Sequence, residues 1–456
     1  MSPTSPLSVA VVGSGPSGVY AADLLAQADP PARVDVFEKL PAPFGLVRYG
    51  VAPDHPNIKQ VIRTLSEVFA RDGVRLVANV DVGTDVSLGE LRNAYDAVVV
   101  ATGCPLDAPL DIPGIGLRGS FGSAEFVSWY DGHPDAPHAW PLSAREVAIV
   151  GAGNVALDLA RMLSRRPEDL ARTDVPDPVL ESFRASPVTD VHVFARRGPA
   201  QVRFSPMELK EMGALADVDV VVDPGDLEFD EASIEAIGSN RRLRQVVETL
   251  TAWAEGEPTG AGRRVHLHLL WRPVEVFDDG EGRVGGIRVE RMRLTGDGSV
   301  EGTGELQEHA VQAVFRAIGY RGVPIEGLPF DPDRGVVRNV GGRVVGEGGR
   351  PLPGLYVVGW VKRGPSGLIG HSRKDAQETV DRILEDRPGG SEGPSSGDGD
   401  SNGVLGLLDD RGVSVVGWRD WETLDAHERS LGAARKGDRI KVASREEMLA
   451  IALGRA

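Results

Sequence analysis

Short apolar runs that end at glycine-rich turns recur along the chain, and each has the pattern of a buried strand. The first run, at 9–12, leads directly into a Gly-Ser-Gly-Pro-Ser-Gly loop at 13–18, after which apolar residues recur with helical spacing. A second apolar run, at 34–37, ends in Glu38. This part of the chain therefore predicts a strand, a tight turn, a helix and a second strand, which is the repeating unit of a doubly wound α/β sheet.

The same order of elements returns in the middle of the chain. An apolar run at 147–150 enters a second glycine-rich loop at 151–156, a helical pattern continues to Leu163, and another apolar run, at 191–194, ends near two arginines. Further buried strands are predicted at 97–101, 311–318 and 355–358, and a helix at 371–384. We predict an α/β protein with two Rossmann-like dinucleotide-binding domains, each of three layers.

Composition and charge narrow the possible functions of this 456-residue chain. The formal net charge of −17 argues against a nucleic-acid-binding surface, which would be basic. A single cysteine, Cys104, excludes an intrachain disulfide, a redox-active cysteine pair and a four-cysteine iron–sulfur cluster. The sequence has no apolar run of the roughly 18 residues that span a membrane, so we expect no membrane association, no signal peptide and a cytoplasmic protein. We predict no metal site.

The first glycine-rich loop has the residue types that a pyrophosphate cradle needs. Gly13 permits the sharp turn, Gly15 lets the backbone approach the phosphates, and Gly18 allows close packing of the helix on the strand. The free N–H groups and the positive end of the helix dipole then face the phosphates, and Glu38 is placed to accept hydrogen bonds from ribose hydroxyls. The alternative is a glycine-rich turn that binds no ligand.

The second loop, which ends in Ala156 instead of glycine, is followed by a strand end of opposite charge. Arg196 and Arg197 stand where an acidic residue would bind a free ribose. A guanidinium pairs with a 2′-phosphate, which a carboxylate repels, so this unit predicts NADP rather than NAD. The alternative is a solvated charge pair. Two units of opposite charge indicate two different nucleotides, and FAD with NADPH is the common pair that fits.

These motifs together resemble the adrenodoxin-reductase-type ferredoxin–NADP reductases, in particular the soluble actinobacterial enzymes that contain FAD. The resemblance covers about residues 8–385, and the segments 45–56 and 358–370 are its most specific parts. The residues that carry it lie at 12–18, 45–56, 151–158, 195–198 and 358–370. It implies a two-domain flavoprotein of the glutathione-reductase type.

The predicted division of the chain follows from this resemblance and from composition. The resemblance implies a discontinuous FAD-binding domain at 1–106 and 330–387, with a NADP-binding domain inserted at 107–329. Residues 388–403, rich in Gly, Ser, Pro and Asp, are predicted to form a flexible linker. Residues 404–456 regain apolar periodicity and are predicted to form a small C-terminal appendage, to which the sequence assigns no role.

The resemblance also implies the residues of each site. Those expected at FAD are Gly13, Gly15, Pro16, Ser17, Glu38, Leu46, Val82, Trp360, Gly367, Leu368 and Ile369. Those expected at NADP are Gly151, Gly153, Asn154, Val155, Arg196, Arg197 and Glu208, with Gly367 shared. The expected catalytic residues, His55 and Glu211 with Asp158 nearby, would lie beside the nicotinamide, where hydride transfer needs an oriented ring rather than a general base.

The chain departs from this family at one position. Close relatives carry a NADP-contacting arginine just before an Ile-Pro-Gly segment, whereas residues 106–109 here read Leu-Asp-Ala-Pro. Arg118 or another group would have to replace the arginine that is missing near Ala108.

The resemblance implies a ferredoxin–NADP reductase, in which FAD accepts a hydride from NADPH and passes single electrons to a separate iron–sulfur ferredoxin, or the reverse.

A candidate docking surface for the ferredoxin lies on a predicted helix and consists of Arg241, Arg242 and Arg244; a solvated helix face is the alternative. A flavin-dependent NADPH monooxygenase or oxidase and a non-catalytic nucleotide-binding redox sensor remain as other functions. A thioredoxin-reductase-type enzyme is excluded because it needs two redox cysteines. We expect a monomer; the sequence does not specify the ferredoxin, the acceptor beyond it or the physiological direction.

Overall fold

The structure is a computed structural model that describes residues 6–367, 369–386 and 401–455, except for the side chains of 401 and 402. In these ranges the strands are β1 (Ser8–Val12), β2 (Arg33–Glu38), β3 (Val74–Ala78), β4 (Ala97–Val100), β5 (Leu106–Asp107), β6 (Ser120–Gly122), β7 (Glu146–Val150), β8 (Asp190–Ala195), β9 (Val218–Val222), β10 (Arg263–Leu269), β11 (Trp271–Asp278), β12 (Val284–Leu294), β13 (Val300–His309), β14 (Ala313–Arg316), β15 (Tyr320–Arg321), β16 (Phe330–Asp331), β17 (Val336–Val337), β18 (Asn339–Val340), β19 (Arg343–Val345) and β20 (Pro351–Val357). The α-helices are α1 (Pro16–Ala26), α2 (Leu46–Tyr49), α3 (Pro56–Lys59), α4 (Val61–Phe69), α5 (Leu88–Ala94), α6 (Ser123–Tyr130), α7 (Asn154–Ser164), α8 (Pro167–Leu170), α9 (Asp177–Ala185), α10 (Pro206–Gly213), α11 (Glu231–Ser239), α12 (Arg241–Glu255), α13 (Trp360–Arg363), α14 (Ile369–Glu385), α15 (Ser401–Asp410), α16 (Trp418–Ala434) and α17 (Arg445–Ala452).

The described residues form two compact units. Unit 1 contains the described residues of Met1–Leu106, Asp131–Asp135 and Tyr320–Ala456. Unit 2 contains Asp107–Tyr130 and Ala136–Gly319. The sequence-based division placed 131–135 and 320–329 in the second domain, whereas the structure places these residues in unit 1. No helix in the described part of the chain is both long and apolar enough to span a lipid bilayer.

Unit 1 is built on a seven-stranded sheet in the order β18-β19-β20-β4-β1-β2-β3. Strands β20, β4, β1, β2 and β3 run parallel, and β19 and β18 add an antiparallel edge. Every residue of β1 and β4 is buried, which explains why these strands are continuous apolar runs rather than alternating ones. The carboxyl ends of β1 and β2 place the first glycine-rich loop and Glu38 at one edge of the sheet.

Unit 2 combines a parallel sheet with an antiparallel one. The parallel sheet has the order β6-β14-β7-β8-β10-β9, and β11, β12 and β13 form the antiparallel sheet. Val191 and Val193 of β8 pack into the core that includes residues of α7. The next residue, Phe194, faces the opposite side and packs with Ile287 and Val289 of the antiparallel sheet. The parallel sheet is thus covered by helices on one face and by strands on the other.

The predicted fold class is confirmed by the strand order and by the two repeated units. Strand β1, helix α1 and strand β2 form the first strand–loop–helix–strand unit, and β7, α7 and β8 form the second. The strand expected at 311–318 is shorter, since β14 spans only Ala313–Arg316. The connection between α7 and β8 contains two short helices, α8 and α9, that begin at prolines or directly before one.

The C-terminal segment, for which the sequence predicts a small appendage at 404–456, belongs to unit 1. Trp421, Leu424 and Met448 are buried in the same apolar core as β1, β2 and α1. Ala78 and Val416 also exchange backbone hydrogen bonds of 2.9 Å, which joins this segment to the end of β3. The predicted linker ends earlier than 403, because α15 begins at Ser401; residues 388–400 lie outside the described residues.

A buried ionic cluster joins the C-terminal segment to the motif at 45–56. Arg48 Nη2 lies 2.6 Å from Glu428 Oε1, and the two side chains are 1% and 0% exposed. Burial alone would lower the pKa of Arg48, but the Glu428 carboxylate outweighs this effect and raises the pKa. Glu428 also accepts a 2.9 Å hydrogen bond from the Val442 N–H, and Lys441 Nζ donates to the Arg48 carbonyl oxygen at 2.9 Å. Since the pair is desolvated, each charge depends on the other to remain buried.

Candidate functional site

Three glycines shape the loop between β1 and α1 in different ways. Gly13 has φ +111°, and a Cβ there would lie 2.5 Å from the Ala101 carbonyl oxygen. A Cβ on Gly18 would lie 2.0 Å from the Gly13 carbonyl oxygen, so strand and helix pack too closely for a side chain. At Gly15, the N-cap of α1, a Cβ would meet no protein atom within 4 Å. The N-terminus of α1 is therefore open to a ligand that approaches the backbone, as a pyrophosphate requires.

Glu38 ends β2 beside this loop. Its Oε2 accepts hydrogen bonds from the Ser14 N–H at 3.1 Å and the Ser14 Oγ at 2.5 Å, and its Oε1 accepts one from the Leu40 N–H at 3.0 Å. Burial raises the pKa of this carboxyl group in spite of these hydrogen bonds. The side chain is only partly buried, so the oriented carboxylate keeps lone pairs for the hydroxyls of a ribose.

Two further segments implied at FAD lie against the same loop. A Cβ on Gly45 would lie 3.2 Å from the backbone of the glycine-rich loop, so Leu46 begins α2 directly beside it. A Cβ on Gly359 would lie 2.7 Å from Ser17 Oγ, so α13 begins with Trp360 next to the first turn of α1. The tertiary structure therefore gathers three distant sequence segments around the N-terminus of α1.

The remaining residues implied at FAD also lie in unit 1, with one outside the described residues. Pro16 is the first residue of α1, and Val82 follows β3 on the sheet edge that carries the site. Gly367 has φ +87°, which suits glycine. Ile369 begins α14, which packs against α1. Leu368 lies outside the described residues.

The C-terminal segment contacts this site through Phe44. Phe44 has a left-handed backbone, with φ +85°, which costs a residue other than glycine about 1–3 kcal/mol. Its N–H donates to the Ser14 carbonyl oxygen at 3.1 Å. Its buried ring makes edge-to-face contacts with Trp418 and Trp421 of α16, at centroid distances of 6.4 and 6.0 Å. Helix α16 thus holds the strained residue that hydrogen-bonds to the glycine-rich loop.

The loop between β7 and α7 repeats this geometry in unit 2. A Cβ on Gly151 would lie 2.3 Å from the carbonyl oxygen that follows β14, whereas a Cβ on Gly153, the N-cap of α7, would meet nothing within 4 Å. Asn154 and Val155 form the first turn of α7, and Asn154 Oδ1 accepts a 2.9 Å hydrogen bond from the Ser205 N–H. The second loop is therefore also open at its helix N-terminus, and it is fixed to the segment that begins α10.

Arg196 and Arg197 directly follow β8, and both side chains are exposed. Neither guanidinium has a hydrogen-bond or ion-pair acceptor among the described residues. The chain carries a net charge of −17, so acidic partners are abundant elsewhere on it. Two uncompensated guanidinium groups at this strand end have the charge and the hydrogen-bond donors that a 2′-phosphate would need.

Three acidic residues implied near NADP and the nicotinamide surround one buried arginine. Arg161 is fully buried, and its Nη2 lies 2.8 Å from Asp158 Oδ1. Its Nη1 lies 2.7 Å from Glu208 Oε2 and 4.0 Å from Glu211 Oε2. Ser205 caps α10 by accepting a hydrogen bond from the Glu208 N–H at 3.2 Å. Unit 2 thus brings these predicted residues together and orients them through Arg161.

Sequence reasoning missed two arginines in this region. Arg161 follows Asp158 by three residues, and this helical spacing was the available signal. Arg203 belongs to no local motif, but its N–H donates to the Ala152 carbonyl oxygen at 2.7 Å, within the second glycine-rich loop. Its exposed guanidinium has no acceptor among the described residues, which makes it a candidate phosphate-binding group.

The structure disfavours Arg118 as the replacement for the arginine that relatives carry before Ile-Pro-Gly. The Arg118 guanidinium donates to backbone carbonyl oxygens of the β11–β12 turn, among them Glu281 at 2.5 Å. Asp107 accepts a 2.8 Å hydrogen bond from Ser123 Oγ and so supports the start of α6. Arg203 is the better candidate, because its backbone N–H donates to the Ala152 carbonyl oxygen of the loop.

The predicted catalytic residues are divided between the units. His55 lies in unit 1, at the N-terminus of α3, and is 4% exposed. Asp158 and Glu211 lie in unit 2.

Cys104 is buried in unit 1, and burial raises the pKa of its thiol to about 12, so the thiol stays protonated and unreactive.

Replacing Gly15 with alanine is expected to weaken FAD binding by about tenfold or more while the protein still folds. The backbone at Gly15 (φ −64°, ψ 171°) suits alanine, and the added methyl group meets no protein atom, so it would obstruct only the ligand; about 1.4 kcal/mol corresponds to tenfold. Fluorescence titration of deflavinated protein with FAD measures the effect. Gly89→Ala, on the exposed face of α5, is the matched control. Unchanged affinity in Gly15→Ala would contradict the assignment of this loop.

Known proteins resemble this chain over nearly its whole length. Residues 7–211 match the family described as pyridine nucleotide-disulphide oxidoreductase. The chain is 41% identical to NADPH-ferredoxin reductase FprA of Mycobacterium tuberculosis over 98% of its own length and 100% of that protein. It is 39% identical to the mitochondrial NADPH:adrenodoxin oxidoreductase of Arabidopsis thaliana, over 98% of this chain and 95% of that one. The structure of Mycobacterium tuberculosis FprA in complex with NADPH matches with a TM-score of 0.92 and 40% identity, over 99% of this chain and 100% of that one.

Proposed function

The chain belongs to the family of NADPH-ferredoxin and NADPH:adrenodoxin reductases, and from this membership we propose that it is a ferredoxin–NADP reductase, which moves electrons between NADPH and a separate ferredoxin. The observation that carries the proposal is the pair of open glycine-rich loops with opposite charges beside them. Glu38 adjoins the first loop, and Arg196 and Arg197 stand at the matching position of the second unit.

The residues of unit 1 fit FAD. Gly15 leaves space at the N-terminus of α1, where the helix dipole and the free N–H groups stabilise a pyrophosphate. Glu38 is held by Ser14 and Leu40 in a position to accept hydrogen bonds from a ribose. When bound, FAD supplies the chemistry that converts a hydride from NADPH into single electrons for a ferredoxin.

The residues of unit 2 fit NADPH. Gly153 leaves the N-terminus of α7 open to the pyrophosphate of the coenzyme. The backbone of Arg203 hydrogen-bonds to the loop, which makes its guanidinium a candidate partner for a phosphate. Arg196 and Arg197 bind the 2′-phosphate and so select NADPH over NADH. Arg161 fixes Glu208, whose carboxylate is then oriented for hydrogen bonding to the coenzyme.

Three residues orient the nicotinamide in this proposal. Glu211 and Asp158 both lie near the Arg161 guanidinium, which limits their movement. His55 is buried at the start of α3, where its backbone N–H donates to the Ala52 carbonyl oxygen at 3.0 Å. None of them needs to exchange a proton, because hydride transfer requires no general base.

The proposed function is tested by NADPH-driven reduction of a ferredoxin, coupled to reduction of cytochrome c. The purified protein is expected to be yellow, to lose its flavin absorbance on addition of NADPH, and to reduce cytochrome c only when ferredoxin is present. NADH serves as the control and is expected to be a poor donor. A colourless protein that binds NADPH without turnover would instead support a redox sensor, and stoichiometric oxygen consumption without ferredoxin would support an oxidase.

We also propose that the ferredoxin docks on the first turn of α12. Arg241 and Arg242 are exposed there, and their guanidinium groups have no acceptor among the described residues. Basic residues in a first turn oppose the helix dipole, so helix stability does not account for them. Arg244 is different, because it donates to the Gly238 carbonyl oxygen at 2.7 Å and so supports the end of α11. The docking proposal is therefore narrowed to Arg241 and Arg242.

Arg241→Glu with Arg242→Glu is expected to raise the KM for ferredoxin about tenfold at low salt, because reversed charges repel an acidic partner. The effect should shrink as ionic strength rises. The KM for NADPH, measured by reduction of a small dye, should not change. Arg172→Glu, another exposed arginine of unit 2, is the charge control. An unchanged KM for ferredoxin in the double variant would remove α12 from the docking surface.

A monomeric state and a cytoplasmic location remain predictions.

A further inference from the structure

Four of the nine histidines lie together in unit 2. His192 is on β8, His266 and His268 are on β10, and His309 ends β13. Strands β8 and β10 pair in parallel, with His266 opposite His192. Alternate residues of a strand share a face, so these three rings lie on the side of the parallel sheet that the antiparallel sheet covers. His309 joins them from that covering sheet.

Three of these imidazoles converge closely enough to share one ion. His192 Nδ1 and His268 Nε2 are 3.0 Å apart. The ring of His309 lies 5.4 Å from that of His192 and 5.0 Å from that of His268, between centroids. One nitrogen from each ring lies within 4.8 Å of the others. Metal–nitrogen bonds of about 2.0–2.1 Å in a tetrahedral site separate the nitrogens by about 3.3 Å, so small ring rotations would complete the site.

A second observation also points to a ligand. The Nε2 atoms of His192 and His309 are shielded from solvent and have no hydrogen-bond partner among the residues that the structure describes. Buried polar atoms are usually satisfied, and leaving one unsatisfied is costly. A metal ion would satisfy His309 Nε2. His192 would bind through Nδ1, and its Nε2–H would then face Glu146 Oε2, which is 3.6 Å away; such carboxylates commonly orient the histidine ligands of a metal.

His266 is not part of this set, although its ring stacks on His192 at 4.5 Å. Its Nε2 lies 2.9 Å from Asp190 Oδ1, and Asp190 also pairs with Arg264 at 2.7 Å. The structure therefore separates one histidine whose Nε2 pairs with a carboxylate from three histidines whose ring nitrogens face each other.

The charge state of the cluster suits a metal. Burial and the neighbouring imidazoles lower the pKa of His192 to about 3 and that of His268 to about 2. Burial likewise lowers the pKa of His309. The rings are therefore neutral near pH 7, and neutral imidazole is the form that binds metal ions.

We propose that His192, His268 and His309 bind one divalent transition-metal ion. The class of ion follows from the ligands: imidazole prefers zinc, copper and nickel to magnesium or calcium. Zn²⁺ is the representative ion, with a water molecule as the fourth ligand. Since His309 lies on β13 and the other two ligands lie on β8 and β10, the ion would link the antiparallel sheet to the parallel sheet.

The test uses the full-length FAD-containing protein after treatment with a chelator. Titration with Co²⁺ is expected to give visible absorption bands of a nitrogen-ligated site at wavelengths beyond the flavin, and calorimetry with Zn²⁺ is expected to give one ion per chain. Zn²⁺ should also raise the midpoint of thermal unfolding. His309→Gln should weaken Zn²⁺ binding by at least about tenfold and abolish this thermal shift.

His138→Gln, an exposed histidine of unit 2, is the matched control, and His266→Gln should also keep the site. If His309→Gln does not fold, His192→Asn provides the same test from β8. Absence of stoichiometric Zn²⁺ and Co²⁺ binding in the unaltered protein would overturn the proposal. Equal affinity in the unaltered protein and in a folded ligand variant would do so as well.

Discussion

Replacing Arg196 and Arg197 together with alanine should raise the KM for NADPH by about 100- to 1,000-fold and leave the KM for NADH nearly unchanged. Each guanidinium is expected to make charge-assisted hydrogen bonds to the 2′-phosphate, and hydrogen bonds to charged groups contribute about 1.5–3 kcal/mol each. Two such losses total about 3–6 kcal/mol. Because each 1.4 kcal/mol is a factor of ten, the lower half of this range gives the expected change of about 100- to 1,000-fold. NADH lacks the 2′-phosphate, so the substitutions remove no interaction with this coenzyme. Steady-state reduction of a small dye measures both constants.

The controls separate coenzyme selection from general damage. Both arginines are exposed and unpaired within the described residues, so their removal should not lower the midpoint of thermal unfolding. Arg172→Ala removes another exposed arginine of unit 2 and should leave both KM values as they were. A double variant that still prefers NADPH as strongly as the unaltered protein would assign the 2′-phosphate to another group, of which Arg203 is the first candidate.

Glu428→Gln should lower the midpoint of thermal unfolding by roughly 6–20 °C. Breaking a buried ion pair by removing one charge costs about 3–5 kcal/mol, and each kcal/mol shifts the midpoint of a domain of this size by about 2–4 °C. In this variant Arg48 stays buried, but a neutral amide replaces the carboxylate that lies 2.6 Å from it. The substitution also removes the negative charge that lies 3.5 Å from the Arg439 guanidinium.

The same substitution should reduce retention of FAD during gel filtration. Helix α16 carries Glu428 and also Trp418 and Trp421, whose rings hold Phe44 against the first glycine-rich loop. Glu422→Gln removes an exposed charge from the same helix and should change neither property. If Glu428→Gln unfolds at the same temperature as the unaltered protein and keeps its FAD, the C-terminal segment does not support the site.

The local elements of the fold were predictable because each is specified by a few residues that are neighbours in the sequence. Gly13 and Gly18 stand where the backbone would clash with any side chain, and the apolar run before them forms β1. The contrast between Glu38 and Arg196 is equally local, since Glu38 is the last residue of β2 and Arg196 directly follows β8. A strand that is buried on both faces must be apolar throughout, and this rule located β1, β4 and β7 without any tertiary information.

The contacts that join distant segments were not predictable in the same way. Arg48 and Glu428 are separated by most of the chain, and no spacing rule connects them. The backbone of Arg203 hydrogen-bonds to Ala152 in the second loop, and no sequence pattern predicts this contact. The pair His266 and His268 shows the alternation of a strand face, but its meeting with His309 depends on how two sheets pack.

The sequence by itself determined that the chain contains two nucleotide-binding units of opposite charge and assigned each its expected nucleotide, because strands, tight turns and helix starts are specified by residues close together in the chain. Only the tertiary structure decided that 401–455 belongs to unit 1, that Glu208 and Glu211 lie near Arg161, and that three histidines converge. These features arise from packing between segments far apart in sequence, where burial makes each charge or polar nitrogen depend on a partner that local patterns do not reveal.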